Sequence, residues 1–376
     1  MTEIYLIRHA QAEGNRYRIM QGHWDGGVTD VGRQQIALLA ERLKDIQFTA
    51  VYSSDLYRAR LTAGAALKNC PLPLHTDPAL REINVGPWET KFFGNVFYDY
   101  PQESALFLHD PANWRIDGAE TYADVTARAY PALERIARLH EGGRVAVVSH
   151  GVTIRCLLSK ITGIALKDTD QLPICRNTAI SRLRWEDGHF TVLELNDSAH
   201  LEPLGEQIWN RQASLRHEEL DPAQDRRFYT GCYSDAWLAA HGNLNGYFAD
   251  PYFDAACRHH RANPGAVLRI LDGDTPAGLV DLDPSRGAHA GYGWLSLLYL
   301  RPEYRDQGYG IQLLARAIVF YRALGRRSLR LLVAEDNVRA LRFYRREGFT
   351  ALSQEQGVGG KLLLMEKPLY ERRDDL

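Results

Sequence analysis

The stretch that decides the fold is "LIRHAQAEGN", residues 6–15. The apolar run "IYLI" that leads into it reads as a short buried strand, and it stops abruptly at Arg8 and His9. The ends of strands in open α/β sheets are where such sheets place their ligands. Alone, an Arg-His pair is also an ordinary way for a strand to finish. The rest of the chain must supply partners.

Outward from this point the first half alternates apolar runs with helical patterns. "AVYSS" and "RVAVVSH" read as further short strands, and "DVGRQQIALLAERLKDI", "DLYRARLTAGAALKN" and "TYADVTARAYPALERIARLH" as amphipathic helices. That alternation predicts a largely parallel sheet covered by helices. "AISRLRW" and "FTVLELN" flank "EDGH", whose Asp-Gly signals a hairpin. The first unit is therefore expected to close near residue 203, at "HLEPLG".

Three more places supply what Arg8 and His9 need. "SSDLYRARLTA" puts Arg58 in the first turn of a helix after a strand, "LREINVGPWE" carries Glu82 in a loop, and "VVSHGVTIR" sets His150 at a strand end. Guanidinium groups bind phosphate oxygens through paired, charge-assisted hydrogen bonds. Arg8 and Arg58 can hold a phosphate monoester from two sides, the latter aided by the positive end of its helix. Nearby cations disfavour imidazolium, which keeps one nitrogen of His9 nucleophilic. Glu82 can protonate a departing alkoxide and later deprotonate water. His150 can donate to the oxygens on which charge gathers during phosphoryl transfer.

"LIRHAQAEGN", "QGHWDGGVTDVGRQQ", "VYSSDLYRARLTA", "LREINVGPWE" and "VSHGVTIR", in this order, resemble the histidine phosphatase (phosphoglycerate-mutase-like) superfamily over residues 3–203. The resemblance implies that His9 is phosphorylated, that Arg8, Arg58 and His150 form the phosphate pocket, and that Glu82 is the proton donor. It implies that Asn15 also touches the phosphate, and makes Gln21 and Gly22 further substrate-binding candidates. Mutases of this family carry Glu-Arg-His-Tyr-Gly where this chain has "REINVGPWE", so the phosphatase branch is expected. Ala10 and Thr90 stand where glycines are usual, and "GGVT" replaces Ser-Pro-Leu-Thr. The segment "KFFGNVFYDYPQESALFLHDPANW" is expected to cover the pocket, with Phe92, Phe93, Tyr98 and Trp114 either meeting the leaving group or packing the cover onto the sheet.

The second half has a different signal, "LLYLRPEYRDQGYGIQLL". Arg305, Gly308 and Gly310 lie between a strand and a helix, and glycines there let backbone N–H groups turn toward an anion. Followed by the strand "LRLLVAEDN" and the helix "ALRFYRREGF", the loop resembles the GNAT N-acetyltransferases, firmly over residues 264–368 and more weakly back to residue 210. The resemblance implies that Arg305, Gln307, Gly308, Tyr309 and Gly310 bind the pyrophosphate of acetyl-CoA. It implies that the backbone of Leu298 and Leu300 pairs with the pantetheine arm between two splayed strands, that Asn337 contacts the cofactor, and that Tyr344 protonates the leaving thiolate. Asn337 is also a natural helix N-cap, and Tyr344 a natural packed aromatic. Trp294 occupies the strand position where many relatives have a Glu, which leaves the base open among Glu335, Asp281 and Tyr299.

Composition bounds the rest. With 376 residues, 45% hydrophobic and 24% charged, the chain reads as two globular domains, 1–203 and 210–370, both α/β. A formal charge of −2 offers no footprint for nucleic acid or an anionic membrane. No apolar run approaches the roughly 20 residues that span a bilayer. Five scattered cysteines without a CxxC pair argue against zinc or a disulfide framework, and no secretory signal is visible. The expectation is a cytoplasmic, metal-free bifunctional enzyme acting on a small phosphomonoester and transferring acetyl from acetyl-CoA to an amine. The rival readings are a non-catalytic acyl-CoA-binding regulatory domain in the second half, or a first half directed at phosphoproteins.

Overall fold

The computed structural model describes residues 1–68, 70–205 and 213–370. The chain forms two compact units that meet in sequence at residues 210 and 211. The junction expected between 203 and 210 falls largely outside the described residues, as does the expected start at 210.

The first unit contains β1 (Thr2–Arg8), α1 (Glu13–Tyr17), α2 (Asp30–Arg42), β2 (Ala50–Ser53), α3 (Tyr57–Leu67) and β3 (Leu74–Thr76). It continues through α4 (Phe93–Asp99), α5 (Pro101–His109), α6 (Tyr122–Leu139), β4 (Arg144–Ser149), α7 (Gly151–Thr162), β5 (Ile180–Glu186) and β6 (His189–Asp197). The sheet order is β3-β2-β4-β1-β5-β6, with the first four strands parallel and β5 and β6 antiparallel. Period-2 alternation splits the continuous apolar run of β1 between the sheet's two faces. Ile4 and Leu6 join Leu133, Ile136 and Leu157 on the α6 and α7 side. Tyr5 and Ile7 join Leu39, Ala59 and Ala63 on the α2 and α3 side. One register pair matters most: Arg8 lies opposite Ser149 across parallel β1 and β4. The next residue on each strand is therefore a histidine, and His9 and His150 emerge side by side.

The expected cover is α4 and α5. Trp114 is fully buried and packs on Trp88 and Phe107, with ring centroids 5.4 and 5.1 Å apart, so its role is packing. Tyr98 is exposed, Phe92 is buried, and the Arg18 guanidinium lies 5.2 Å from the Phe93 ring centroid. Thr90 takes a left-handed backbone, φ +66°, the conformation a glycine adopts without strain.

The second unit contains β7 (Arg216–Glu219), α8 (Arg226–His241), α9 (Ala249–Ala262), β8 (Val267–Asp272), β9 (Thr275–Asp283) and β10 (Tyr292–Leu300). It ends with α10 (Gly310–Ala323), β11 (Ser328–Ala334), α11 (Val338–Arg346), β12 (Thr350–Gly357) and β13 (Gly360–Pro368). The sheet order is β12-β13-β11-β10-β9-β8-β7. Only its central pair, β10 and β11, is parallel. Among the described residues that pair is joined only where Tyr292–Trp294 meets Ser328–Arg330. Beyond this point the strands diverge, as a splayed centre requires. The β9–β10 register also shifts between Leu295 and Leu297.

Candidate functional site

His9 is 4% exposed, and its Nδ1 lies 2.7 Å from the Ala10 carbonyl oxygen. A carbonyl only accepts, so Nδ1 carries the proton and Nε2 keeps its lone pair. Burial, then the Arg58 and Arg8 guanidiniums, hold His9 well below the ordinary imidazole range. His150 is fully buried with its ring centroid 5.1 Å from that of His9. Burial, then Arg58 and His9, push it down in the same way. Both rings are neutral at neutral pH.

The two arginines are half-satisfied. Arg58, fully buried, donates from Nη1 to the Trp24 carbonyl (2.9 Å) and from Nη2 to the Gly22 carbonyl (2.7 Å). Arg8 donates from Nη1 to the Cys175 carbonyl (2.6 Å). The Nε atoms of both, and both ring nitrogens of His150, are buried without a hydrogen-bond partner. Leaving buried donors unmade costs free energy, so the two guanidinium Nε–H groups and the single N–H of neutral His150 suit an anion. Burial draws Arg58 down to about 10, which leaves it a cation at neutral pH.

Asn15 accepts from the Ala12 N–H through Oδ1 (3.0 Å), which leaves its amide nitrogen as the donor it offers. Both amide atoms of Gln21 are buried and unpartnered, whereas Gly22 is engaged through its carbonyl on Arg58. Glu82, expected in a loop, sits against the start of α7. Its Oε1 accepts from the backbone of Ile83, Val152 and Thr153, each at 3.1 Å, while Oε2 accepts only from Val152 at 3.2 Å. Oε2 is therefore the oxygen free to carry a proton.

In the second unit, Arg305 donates from Nε to the Leu300 carbonyl (2.7 Å) and so ties the end of β10 to the loop. Asp306 and Gly308 take left-handed backbones, φ +59° and +80°, which turn the chain into α10 at Gly310. Gln307 donates to the Glu303 carbonyl and Tyr309 is buried. A Cβ on Gly310 would press on the edge of the Phe343 ring at 3.1 Å. Leu298 and Leu300 pair with β9 on one side and face the splay on the other. Asn337 caps α11, its Oδ1 accepting from Ala340 N–H at 3.1 Å. Tyr344 is buried between Phe343 and Phe349, and burial raises its phenol, which stays protonated. Asp281 is unavailable as a base, because Tyr229 and His259 take its two oxygens, each at 2.7 Å. Glu335 is bound by the Gln354 side chain, and Tyr299 donates to Asp235.

Residues 4–198 match the family described as histidine phosphatase superfamily (branch 1), and residues 225–349 the acetyltransferase (GNAT) family. A probable phosphoglycerate mutase, GpmB, of Escherichia fergusonii is 31% identical over 207 residues, which is 54% of this chain and 96% of that protein. Its Yersinia pestis counterpart is 30% identical over the same length and shares. The solved structure of Bacillus stearothermophilus YhfR is 31% identical, with a TM-score of 0.53, covering 54% of this chain and 100% of that one. The chain belongs to the histidine phosphatase superfamily. It carries a GNAT acetyltransferase domain after it.

Three supports of the histidine phosphatase pocket left no mark in the sequence reading. Glu89 collects the backbone N–H groups of Gly22, His23, Trp24 and Val85 at 2.8–3.3 Å, and so fixes the carbonyls that grip Arg58. Arg128, paired with Glu120, donates to the carbonyls of Ala79, Arg81 and Glu82 and holds the strap that bears Glu82. Asn177, buried, donates to the His9 carbonyl at 2.9 Å. All three act on backbone atoms, which any residue type supplies. Only the "E" two residues after "VGP" in the quoted motif offers a signal for Glu89. Among the described residues no cluster of His, Cys, Asp and Glu suits a metal ion, and no helix is long and apolar enough to cross a membrane.

Proposed function

We propose that this chain is a bifunctional cytoplasmic enzyme, a phosphomonoester phosphatase working through phosphohistidine over residues 1–203 and an N-acetyltransferase using acetyl-CoA over 210–370. The observation that carries the first half is the set of four unpartnered buried nitrogens on Arg8, Arg58 and His150 around a His9 with a free Nε2. His9 Nε2 attacks phosphorus, the N–P bond forms and the P–O bond breaks, and Glu82 Oε2 delivers a proton to the departing alkoxide. Arg8, Arg58, Asn15 and His150 hold the charge that spreads over the other phosphate oxygens, with Gln21 and Gly22 at the substrate's side. Glu82 then takes a proton from water as that water attacks phosphohistidine, and His9 is restored. A mutase reading is less well supported, because "REINVGPWE" lacks the mutase pattern.

For the second half, the bent loop 305–310 ahead of α10 and the splay of β10 from β11 fit a long anionic thioester. When bound, it supplies the electrophilic acetyl carbonyl. Arg305 and the N–H groups of Gln307, Gly308, Tyr309 and Gly310 bind its pyrophosphate. Leu298 and Leu300 pair with its arm, Asn337 lies at its thiol end, and Tyr344 keeps a phenolic proton ready for the thiolate. The five free cysteines fit a reducing compartment.

One assay tests both halves. A panel of phosphorylated metabolites, some bearing amines, is incubated with acetyl-CoA and read for phosphate and free thiol. We expect phosphate release that His9→Ala abolishes, acid-labile phosphate on His9 during turnover, and oxygen-18 from labelled water in the product. A fully active His9→Ala protein, or phosphate without the label, refutes the phosphatase.

A further inference from the structure

The two peptide groups that follow His9 are each held at both ends. Residues 9–11 lie between β1 and α1 in neither helix nor strand, so no ladder supplies partners for these peptides. In the first, the His9 carbonyl accepts from the Asn177 side chain at 2.9 Å, and the Ala10 N–H donates to Thr62 Oγ1 at 2.9 Å. In the second, the Ala10 carbonyl faces His9 Nδ1 at 2.7 Å, and the Gln11 N–H donates to Gln35 Oε1 at 2.8 Å. The carbonyl that fixes the His9 tautomer thus belongs to a peptide whose other end is gripped from α2. The peptide before it is gripped from α3.

Thr62 and Gln35 are both fully buried. The Thr62 hydroxyl has one hydrogen, which goes to the Arg58 carbonyl at 2.6 Å. Its oxygen is left to accept from Ala10, so the turn of α3 that carries Arg58 is joined to the peptide beside the nucleophile. Gln35 is met at one end only, for its Nε2 is buried without a hydrogen-bond partner. Turned over, the amide would set its NH2 against the Gln11 N–H, so Oε1 is the atom that faces the peptide. A half-satisfied amide in a core costs stability, and the one bond this amide makes is to the peptide of the Ala10 carbonyl. We propose that Thr62 and Gln35 are positioning residues, which clamp these two peptides and so keep the His9 proton on Nδ1 and the lone pair on Nε2. The inference rests on the phosphatase reading. Without the clamp the peptides rotate and the Ala10 carbonyl leaves Nδ1. The neutral imidazole is then free to carry its proton on Nε2, the atom that must attack phosphorus.

The test follows His9 in the full chain by NMR of nitrogen-15-labelled imidazole. Beside it run rapid-quench measurement of phosphohistidine formation from nitrophenyl phosphate and inhibition by inorganic phosphate. Thr62→Val keeps the branched shape and removes the hydroxyl. It is expected to turn a single Nδ1–H tautomer of His9 into a mixture and to slow phosphohistidine formation by about 10- to 100-fold, the scale of a misplaced reacting group. Thr62→Ser, which keeps the hydroxyl, should restore both. Inhibition by inorganic phosphate should stay close to wild type, because Arg8 and Arg58 still hold the anion. Gln35→Met, which keeps the side chain's length without its amide, should act in the same direction as Thr62→Val. Cooperatively melting Thr62→Val and Gln35→Met proteins that keep the wild-type rate and tautomer overturn the clamp alone. A slowed variant whose His9 still holds its proton on Nδ1 does the same, because its loss then has another cause. A wild type that releases phosphate without phosphohistidine overturns the phosphatase reading and the clamp with it.

Discussion

His9 and Glu82 divide one reaction between a lone pair and a proton, and each is set by the backbone it touches. The Ala10 carbonyl fixes the tautomer of His9, and the start of α7 occupies Oε1 of Glu82 while leaving Oε2 available. Glu82→Gln should therefore keep phosphate binding and slow turnover by about 10²–10⁴-fold. The penalty should shrink for nitrophenyl phosphate, whose leaving group needs little protonation, and equal losses on good and poor leaving groups would assign Glu82 another task. The pH dependence follows from direction alone. Burial and the two guanidiniums depress His9 and His150, so both stay neutral as the pH falls through 6.5, the value at which a free imidazole would charge. An acid limb of kcat/KM should then track the second ionisation of the substrate phosphate, near roughly 6, and move when the substrate is changed. A limb fixed near 6.5 for every substrate would mean a histidine titrating in the ordinary range.

At the scale of elements, the pocket depends on straps rather than on strands alone. Glu89 ties the segment 22–24, whose carbonyls hold Arg58 at the start of α3. Glu89→Ala frees four backbone N–H groups and lets that segment drift, and a displacement of about 1 Å costs roughly 10²-fold in rate. The expected outcome is a loss of that order in kcat/KM with weaker vanadate inhibition, measured against an unchanged circular dichroism spectrum. These straps also mark where sequence reading runs out. Arg8, His9, Arg58, Glu82 and His150 were legible because rare chemical types stood at strand ends and helix starts in a fixed order. Glu89, Arg128 and Asn177 were not, because their partners are peptide groups. Among the elements, β1, β4 and α6 announced themselves by continuous or periodic apolar residues. The three-residue β3, the four-residue β7 and the almost wholly exposed β12 carry no such pattern. The helix α9 carries no clear signal either, since "ADPYFDAACRHHRA" has a proline at its third position and apolar residues that are mostly small.

On the scale of the whole chain, each unit has its own sheet and its own candidate site. The hydrophobic clusters around β1 and β4 draw only on residues before 203, and the cluster under α8 and α9 only on residues after 213. Two halves made separately, cut within 203–212, should each keep their own activity when mixed, assayed as phosphate release and thiol release. Loss of one activity from a half that still melts cooperatively would mean that the units build a joint site.

The splay of β10 from β11 has a consequence for the molecule's life outside catalysis. A sheet whose middle strands part company carries an edge in its interior, with Leu295–Leu300 paired to β9 and left unpaired on the β11 side. Open edges recruit any extended peptide, including another copy of the same strand. Whatever lies along β10 and hydrogen-bonds as a strand does seals that edge, so the occupant of the cleft is also the guard against self-association.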